Sequence, residues 1–247
     1  MSVPAPATQS IAAQVRMELR LLARSSESLL VTLGIPLGIL VFFSVVDILP
    51  TGTDDPVDFL VPGVLAISVM STGLVAVAIQ TAFERKYGVL KRLGTTPLSR
   101  QDYLVAKSVA VAAVLAVQTA LVLLIAGVAL GWSATLSLSS LGIAMLLGAV
   151  AFTSLGLLMA GTLRAEATLG LANAVYLLLL VASGVLFDAS ELPTTIEVLG
   201  GLLPSGALGK ALRTSMDGGF DWLAVVVLLL WCGGAIRLAA RHFRWDP

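Results

Sequence analysis

The side chains that most often carry chemistry are scarce in this chain. It contains one cysteine, Cys232, and one histidine, His242. These two residues supply neither a His/Cys metal cluster nor a His-dependent catalytic triad. Carboxylates in the apolar stretches are confined to their ends, at Glu27 and Asp47. We therefore expect no catalytic residue, no metal site and no bound cofactor. An ion channel or proton-coupled carrier is also disfavoured, because such proteins keep buried ionisable groups.

Composition places most of the chain in lipid. Hydrophobic residues make up 57% and charged residues 12% of the 247 positions, whereas soluble proteins average about 45–50% and 25%. The 15 basic and 15 acidic residues balance, so net charge indicates no nucleic-acid partner, and the apolar content excludes intrinsic disorder. The sequence predicts an integral membrane protein.

Six apolar stretches are long enough to cross the hydrocarbon core as helices, which takes about 20 residues. They cover approximately 29–49, 59–83, 106–130, 140–163, 169–187 and 221–240, and the predicted connections include a turn over 164–168. The fold class is therefore predicted to be an all-α membrane protein with six transmembrane helices. It divides into an N-terminal segment 1–28, a membrane domain 29–240 and a tail 241–247.

Charge asymmetry predicts the orientation. Six spans place both termini on one side, and with that side inside, 13 of the 15 basic residues are cytoplasmic. Only Lys210 and Arg213 fall on the outer side, whose first loop, 50–58, is acidic. By the positive-inside rule both termini are cytoplasmic.

The segment before the first span has the pattern of an amphipathic helix. The apolar stripe consists of Ile11, Val15, Leu19 and Leu22. On the helical wheel the basic residues Arg16, Arg20 and Arg24 fall on a different side. We expect either an interfacial helix on the inner leaflet or an ordinary basic lead into the first span. Glu18 lies beside the apolar stripe and is expected to meet a basic group on a partner or to snorkel.

The predicted cytoplasmic loop 84–103 contains a short helix and then the start of the third span. Phe83, Tyr87, Leu90 and Leu93 recur at helical spacing, and Gly94 is placed to end that helix. Ser99 and Asp102 form a capping-box pattern for the third span. The loop either receives a push from a soluble partner, with Tyr87 and Leu90 as apolar docking area, or contacts anionic lipid headgroups.

Two stretches of the chain resemble those of one transporter family. In the loop they are Glu84-Arg85, Gly88, Leu90, Leu93 and Thr96-Pro97-Leu98-Ser99-Arg100; near the end they are Ser183 to Phe187, Glu191-Leu192-Pro193, Leu202-Leu203-Pro204, Ala211-Leu212-Arg213 and Gly218-Gly219. Both resemble ABC-2 type transporter permeases, and the chain is similar to the drug-exporter branch that includes daunorubicin-resistance-type permeases. It departs from the family pattern at Lys86, often an acid, and at Ala106, often a glycine.

The resemblance implies a function and partners. It implies a type V exporter-like permease fold that moves a lipophilic small molecule, drug-like or lipid, out of the cytoplasm or inner leaflet of the cell's inner (plasma) membrane. A coupling helix at Glu84, Arg85, Tyr87, Gly88, Leu90 and Leu93 would dock on an ABC ATPase, and the outer segment 188–219 would dip back as a re-entrant cap. The sequence lacks the G-x-x-x-x-G-K-[S/T] phosphate loop, so ATP and Mg are expected on a separate ATPase chain, and the pathway in a homodimer or a pair with a similar permease.

Two helix faces are candidates for the substrate pathway, because relatives of this fold line a central cavity with spans two and five. The second span carries Ser68, Ser71 and Thr72 on one stripe, and the fifth carries Asn173, Tyr176 and Ser183 on a polar and aromatic face. Alternatively these groups bond their own helices or neighbours. Gln80 and Gln118 are expected to form interhelical hydrogen bonds, and Gly34/Gly38 and Gly127/Gly131 permit close helix approach.

Two other functions stay open. A polysaccharide or glycolipid exporter tends to need aromatic rings along a wide channel, and the 8 Phe, 4 Trp and 3 Tyr are spread along the chain. The alternative from another class is an integral membrane lipid-modifying enzyme, which the shortage of buried carboxylates and nucleophiles disfavours.

Overall fold

The computed structural model describes residues 6–46, 56–96, 98–184 and 199–244. The predicted features that fall between these ranges, including most of the acidic first outer loop, Pro97, Phe187 and the first part of the outer segment 188–219, lie outside the described residues. The helices are α1 Ala7–Arg24, α2 Ser26–Val45, α3 Pro56–Lys86, α4 Val89–Leu93, α5 Arg100–Ala129, α6 Leu138–Thr162, α7 Ala165–Ala182, α8 Pro204–Met216 and α9 Trp222–His242.

The predicted fold class is confirmed. Six of the described helices, α2, α3, α5, α6, α7 and α9, are long and apolar enough to cross a membrane. The third span begins at Arg100 because Ser99 caps it through the predicted capping box, in which the Asp102 N–H donates to Ser99 Oγ at 3.1 Å.

The predicted turn over 164–168 is wrong. Helix α6 ends at Thr162 and α7 begins at Ala165, so only Leu163 and Arg164 link the fourth and fifth spans. Leu163 and Arg164 both have extended backbone conformations between the two helices, and Glu166 in the first turn of α7 favours a helix start through the helix dipole.

Helices α3 and α6 form the centre of the bundle. Helix α6 packs against α3, α5, α8 and α9. Its contact with α3 is close because Gly156 lacks a side chain: a Cβ there would lie 2.8 Å from the Leu74 carbonyl oxygen. By contrast, Gly34, Gly38, Gly127 and Gly131 have no atom of another described span near their Cβ positions, so close approach occurs at a site that we did not predict.

Two spans contain π-helical turns, Leu30–Gly34 in α2 and Met70–Ala76 in α3. Such turns leave backbone groups without their regular partners and are frequent at functional sites. Gln118 of α5 connects the two, because its amide donates to the Thr32 carbonyl at 2.5 Å and accepts from Thr72 Oγ1 at 3.4 Å. The predicted interhelical role of Gln118 is confirmed.

Helix α8, which belongs to the predicted outer segment, is buried among the spans, where it contacts α3, α6 and α9. Ser205 donates to the Leu179 carbonyl at 3.2 Å, and Arg213 donates to the Gly184 carbonyl at 2.8 Å. These bonds tie α8 to the outer end of α7. A re-entrant role for the whole segment 188–219 stays a prediction.

Candidate functional site

A buried polar cluster joins α1, α3 and α5 near the predicted cytoplasmic ends of the spans. Lys107 Nζ lies 2.8 Å from Glu18 Oε2 and 3.3 Å from Glu84 Oε1. Lys107 is 2% and Glu18 8% exposed. The basic group that Glu18 meets is therefore on its own chain, and the expectation of a partner's group or of snorkelling is wrong.

Neutral side chains complete this cluster. Tyr103 Oη donates to Glu84 Oε2 at 3.0 Å, and Gln14 Nε2 donates to Glu18 Oε1 at 2.9 Å. Gln80 Nε2 reaches both carboxylates, at 2.8 Å to Glu84 and 3.3 Å to Glu18, which confirms its predicted interhelical bond. Two carboxylates share one ammonium, so a displacement of any one of the three helices breaks a charged contact that is shielded from water.

The cluster borders a small, partly open cavity of about 80 Å³ lined by residues of α1, α2, α3 and α5. Its polar lining residues are Thr32, Thr72, Gln80, Lys107 and Glu18. The rest of the lining is apolar and makes up most of the cavity surface. The cavity connects the charged cluster with the π-helical turns that Gln118 bridges.

The predicted coupling residues have unlike environments. Glu84 and Arg85 lie within the last turn of α3, and the buried Arg85 guanidinium donates to the Leu163 carbonyl oxygen between α6 and α7. Tyr87 is 71% exposed. Gly88 adopts φ +73°, a left-handed conformation that glycine tolerates, and it separates α3 from α4.

Of the two residues expected to form the apolar docking area, Tyr87 and Leu90, one is buried. Leu90 is 0% exposed and Leu93 packs partly against the same core, so the prediction that Leu90 offers apolar surface is wrong. The single helical face assumed for Tyr87 and Leu90 does not exist, because the bend at Gly88 turns α4 inward. The exposed residues of this segment are Tyr87, Val89, Lys91 and Arg92.

The unusual Lys86 forms an ion pair with Glu166 of α7, and both side chains are largely exposed. Together with the Arg85 bond to Leu163, this pair joins the end of α3 to the start of α7. The end of the second span, α3, is thus attached to the third span through Glu84 and to the fifth through Lys86.

Polar groups on the two predicted pathway faces bond mainly within their helices. Ser68 Oγ donates to the Val64 carbonyl at 2.8 Å, Ser71 to that of Ser68 at 3.2 Å, and Ser183 to that of Leu180 at 3.3 Å. Ser68 is fully buried. Thr72 differs, because it reaches Gln118 across the helix contact.

Helix α7 packs on the C-terminal half of α3, including its π-helical turn, so the two faces belong to neighbouring helices. Asn173 Nδ2 donates to the Leu169 carbonyl at 2.8 Å and the side chain remains exposed on the surface of α7. Tyr176 is half-buried against the core. Of the residues on the α7 face, Asn173 presents the most open polar group.

Comparison with known families decides the identity. The ABC-2 type transporter profile matches residues 9–216, most of the chain. The chain belongs to the ABC-2 type transporter family. It is a multi-pass membrane protein and a permease subunit of an ABC transporter. No curated protein sequence matches it significantly.

The matched range covers α1 to α8 and ends before the sixth span, α9. In this permease α9 nevertheless packs along the central helix α6, and Phe243 beyond it is 1% exposed, with its ring centroid 5.7 Å from that of Tyr103. The Arg244 N–H donates to the Gly161 carbonyl at 3.3 Å. The chain after α9 therefore closes one side of the polar cluster.

Sequence reasoning missed the central residue of the permease's cluster. Lys107 is one of the 13 basic residues that the charge pattern places on the cytoplasmic side, yet it is nearly inaccessible and pairs with two carboxylates. A signal was present: Glu18 beside the apolar stripe of α1 and Lys107 within the third span are each costly to bury alone, so a pair between them was a candidate.

Proposed function

We propose that this permease, paired with a separate ABC ATPase subunit, exports a lipophilic small molecule across the cell's inner membrane. The observation that carries the proposal is the attachment of one cytoplasmic segment to several spans. An exposed surface around Tyr87 follows α3, and its immediate neighbours Glu84, Arg85 and Lys86 bond to α5, the α6–α7 link and α7. A push on Tyr87 is thereby transmitted to three further spans.

The sequence and the family support the proposal of a separate ATPase. Its 247 residues include no phosphate-loop motif, and ABC-2 permeases typically pair with an ATPase subunit. ATP and Mg would be bound by that subunit. Work can then reach the permease only through a protein surface, and the exposed side chains between Tyr87 and Arg92 provide one that the structure leaves uncovered.

The substrate proposal rests on helix α7. Its open face carries exposed leucines beside Asn173, with Tyr176 partly accessible. An exposed amide at membrane depth is costly against lipid tails, so we place this face toward a pathway shared with a second permease subunit, a homodimer mate or a similar chain. A mixed apolar and polar face suits an amphiphile of modest size better than a polysaccharide.

The coupling role is tested at Tyr87 after the ATPase partner has been copurified from native membranes with the tagged permease. Tyr87→Ser should weaken that association about tenfold, since a buried aromatic contact carries much interface energy. It should lower ATP hydrolysis stimulated by amphiphiles in parallel. Trp222→Ser is the matched control, because Trp222 is 70% exposed and is predicted to lie on the outer side.

Unchanged association of Tyr87→Ser with the ATPase would favour the lipid-headgroup interpretation of the loop. Substitutions at two other predicted coupling residues, Glu84→Lys and Leu90→Asp, are poorer tests. Glu84→Lys would place a second ammonium beside Lys107, and Leu90→Asp would bury a carboxylate, so both would disturb folding as well as coupling.

A further inference from the structure

We propose that a groove between α1 and α5 is a binding site for an anionic phospholipid of the leaflet on which α1 lies. The groove has a volume of about 590 Å³ and is lined by apolar side chains of α1, including Val15 and Leu19, and by Val109 of α5. Arg16 and Arg20 are the charged residues among its lining. The inference goes beyond the transport function and depends only on the fold.

The acidic and basic side chains of α1 lie on different sides of the helix. Glu18 faces the polar cluster, where Lys107 neutralises it. Arg16 and Arg20, one helical turn apart, are exposed along the groove. Within the described part of the chain, neither guanidinium lies within ion-pair distance of an acidic side chain. The two guanidinium groups are therefore available for charge-assisted hydrogen bonds to a phosphate group.

The apolar part of the groove continues along the outer side of the bundle. Val109, 46% exposed, also lines a second groove of about 600 Å³ between α5, α6 and α9. Leu146 and Ile236 line that second groove. A lipid phosphate at Arg16 and Arg20 thus has an apolar path beside α5 for an acyl chain, which free phosphate would not use.

Occupation of the groove would hold α1 against α5, the helix whose Lys107 pairs with Glu18. The ion pair of Glu18 with Lys107 and the lipid contact of Arg16 and Arg20 then act on the same helix. Since Lys107 also contacts Glu84, next to the exposed segment at Tyr87, the lipid site is connected to the permease's cytoplasmic surface through a single side chain.

The test measures lipid retention by the whole purified permease. Native mass spectrometry would compare retained phosphatidylglycerol and phosphatidylcholine after release from nanodiscs containing both. The wild type should prefer phosphatidylglycerol. Arg16→Gln/Arg20→Gln should reduce this preference about 25-fold, because each basic group near anionic lipid contributes a factor of roughly five. The matched control is Arg24→Gln/Arg164→Gln, two exposed arginines that do not line the groove.

Retention of the preference in Arg16→Gln/Arg20→Gln, or an equal loss in the control, would overturn the site. If the double variant misfolds, Val109→Trp tests the site instead. It fills the shared part of both grooves without a charge change and should lower phosphatidylglycerol retention. Efficient disulfide formation between two Val109→Cys chains in a Cys232→Ser background would show a second copy in the groove and would also overturn the lipid assignment.

Discussion

Lys107 is a single side chain on which two carboxylates from different helices converge. Its removal leaves Glu18 and Glu84 close together with only neutral donors. Breaking a buried pair in this way typically costs about 3–5 kcal/mol. Desolvation makes the cost large, whereas an exposed ion pair is screened by water and contributes little.

We predict that Lys107→Met lowers the thermal unfolding midpoint of the reconstituted permease markedly, and that the double variant Glu18→Gln/Lys107→Met recovers part of the loss. Lys86→Met serves as the control, because the ion pair of Lys86 with Glu166 is exposed. Equal midpoints for Lys107→Met and Lys86→Met would contradict a structural role for the buried cluster.

Substitution of Asn173 gives the clearest test of the hypothesis that α7 lines the substrate pathway. Its amide is exposed on α7, while Ser68 is buried and bonded within its own helix. Asn173→Ala should change by several fold which amphiphiles stimulate ATP hydrolysis by the copurified complex, with basal hydrolysis and assembly unchanged. Ser68→Ala is the control and should leave the stimulation profile as it is. An unaltered profile for Asn173→Ala would reduce this residue to a surface position.

At the scale of the helices, the contact between α3 and α6 determines how closely the two central spans approach. A Cβ at Gly156 would lie 2.8 Å from the Leu74 carbonyl and 2.9 Å from that of Gly73. These are backbone atoms that cannot rotate away, and α3 is the span with the largest buried share. The helices must therefore separate to admit a methyl group.

Gly156→Ala is expected to destabilise the permease by about 1–3 kcal/mol, the usual cost of overpacking a core. Unfolding would be followed by the loss of helical circular dichroism in mild detergent. Gly142→Ala on the same helix is the control, because nothing lies within 4 Å of its Cβ position. If Gly156→Ala matched Gly142→Ala in stability, the close approach of the two spans would be refuted.

At the scale of the whole molecule, the orientation in the membrane remains a prediction from charge. With 13 of 15 basic residues on one side, the surface around Tyr87 should face the cytoplasm. Thr53→Cys should therefore react with an impermeant thiol reagent in intact cells, and Thr95→Cys should react only after permeabilisation. The native Cys232 is buried and gives a low background. Labelling of Thr95→Cys in intact cells would reverse the assigned topology.

The sequence by itself determined that the chain lies mostly in a membrane, how many spans it has and which family it resembles. These three conclusions depend on long apolar stretches, on the distribution of arginine and lysine, and on local motifs such as Ser99 with Asp102. All of these features can be read along the chain without knowing which helices pack together. The roles of Gln80 and Gln118 were also predictable in kind, since an amide within a span needs a partner.

The tertiary structure alone decided which residues meet. Glu18 and Lys107 are separated by more than 80 positions, and the relative placement of α1 and α5 brings their charges together. The bend at Gly88 buries Leu90 while Tyr87 stays exposed, although the two would share one face if the helix were uninterrupted. Periodicity describes a single helix, whereas burial and pairing depend on how neighbouring helices pack against it.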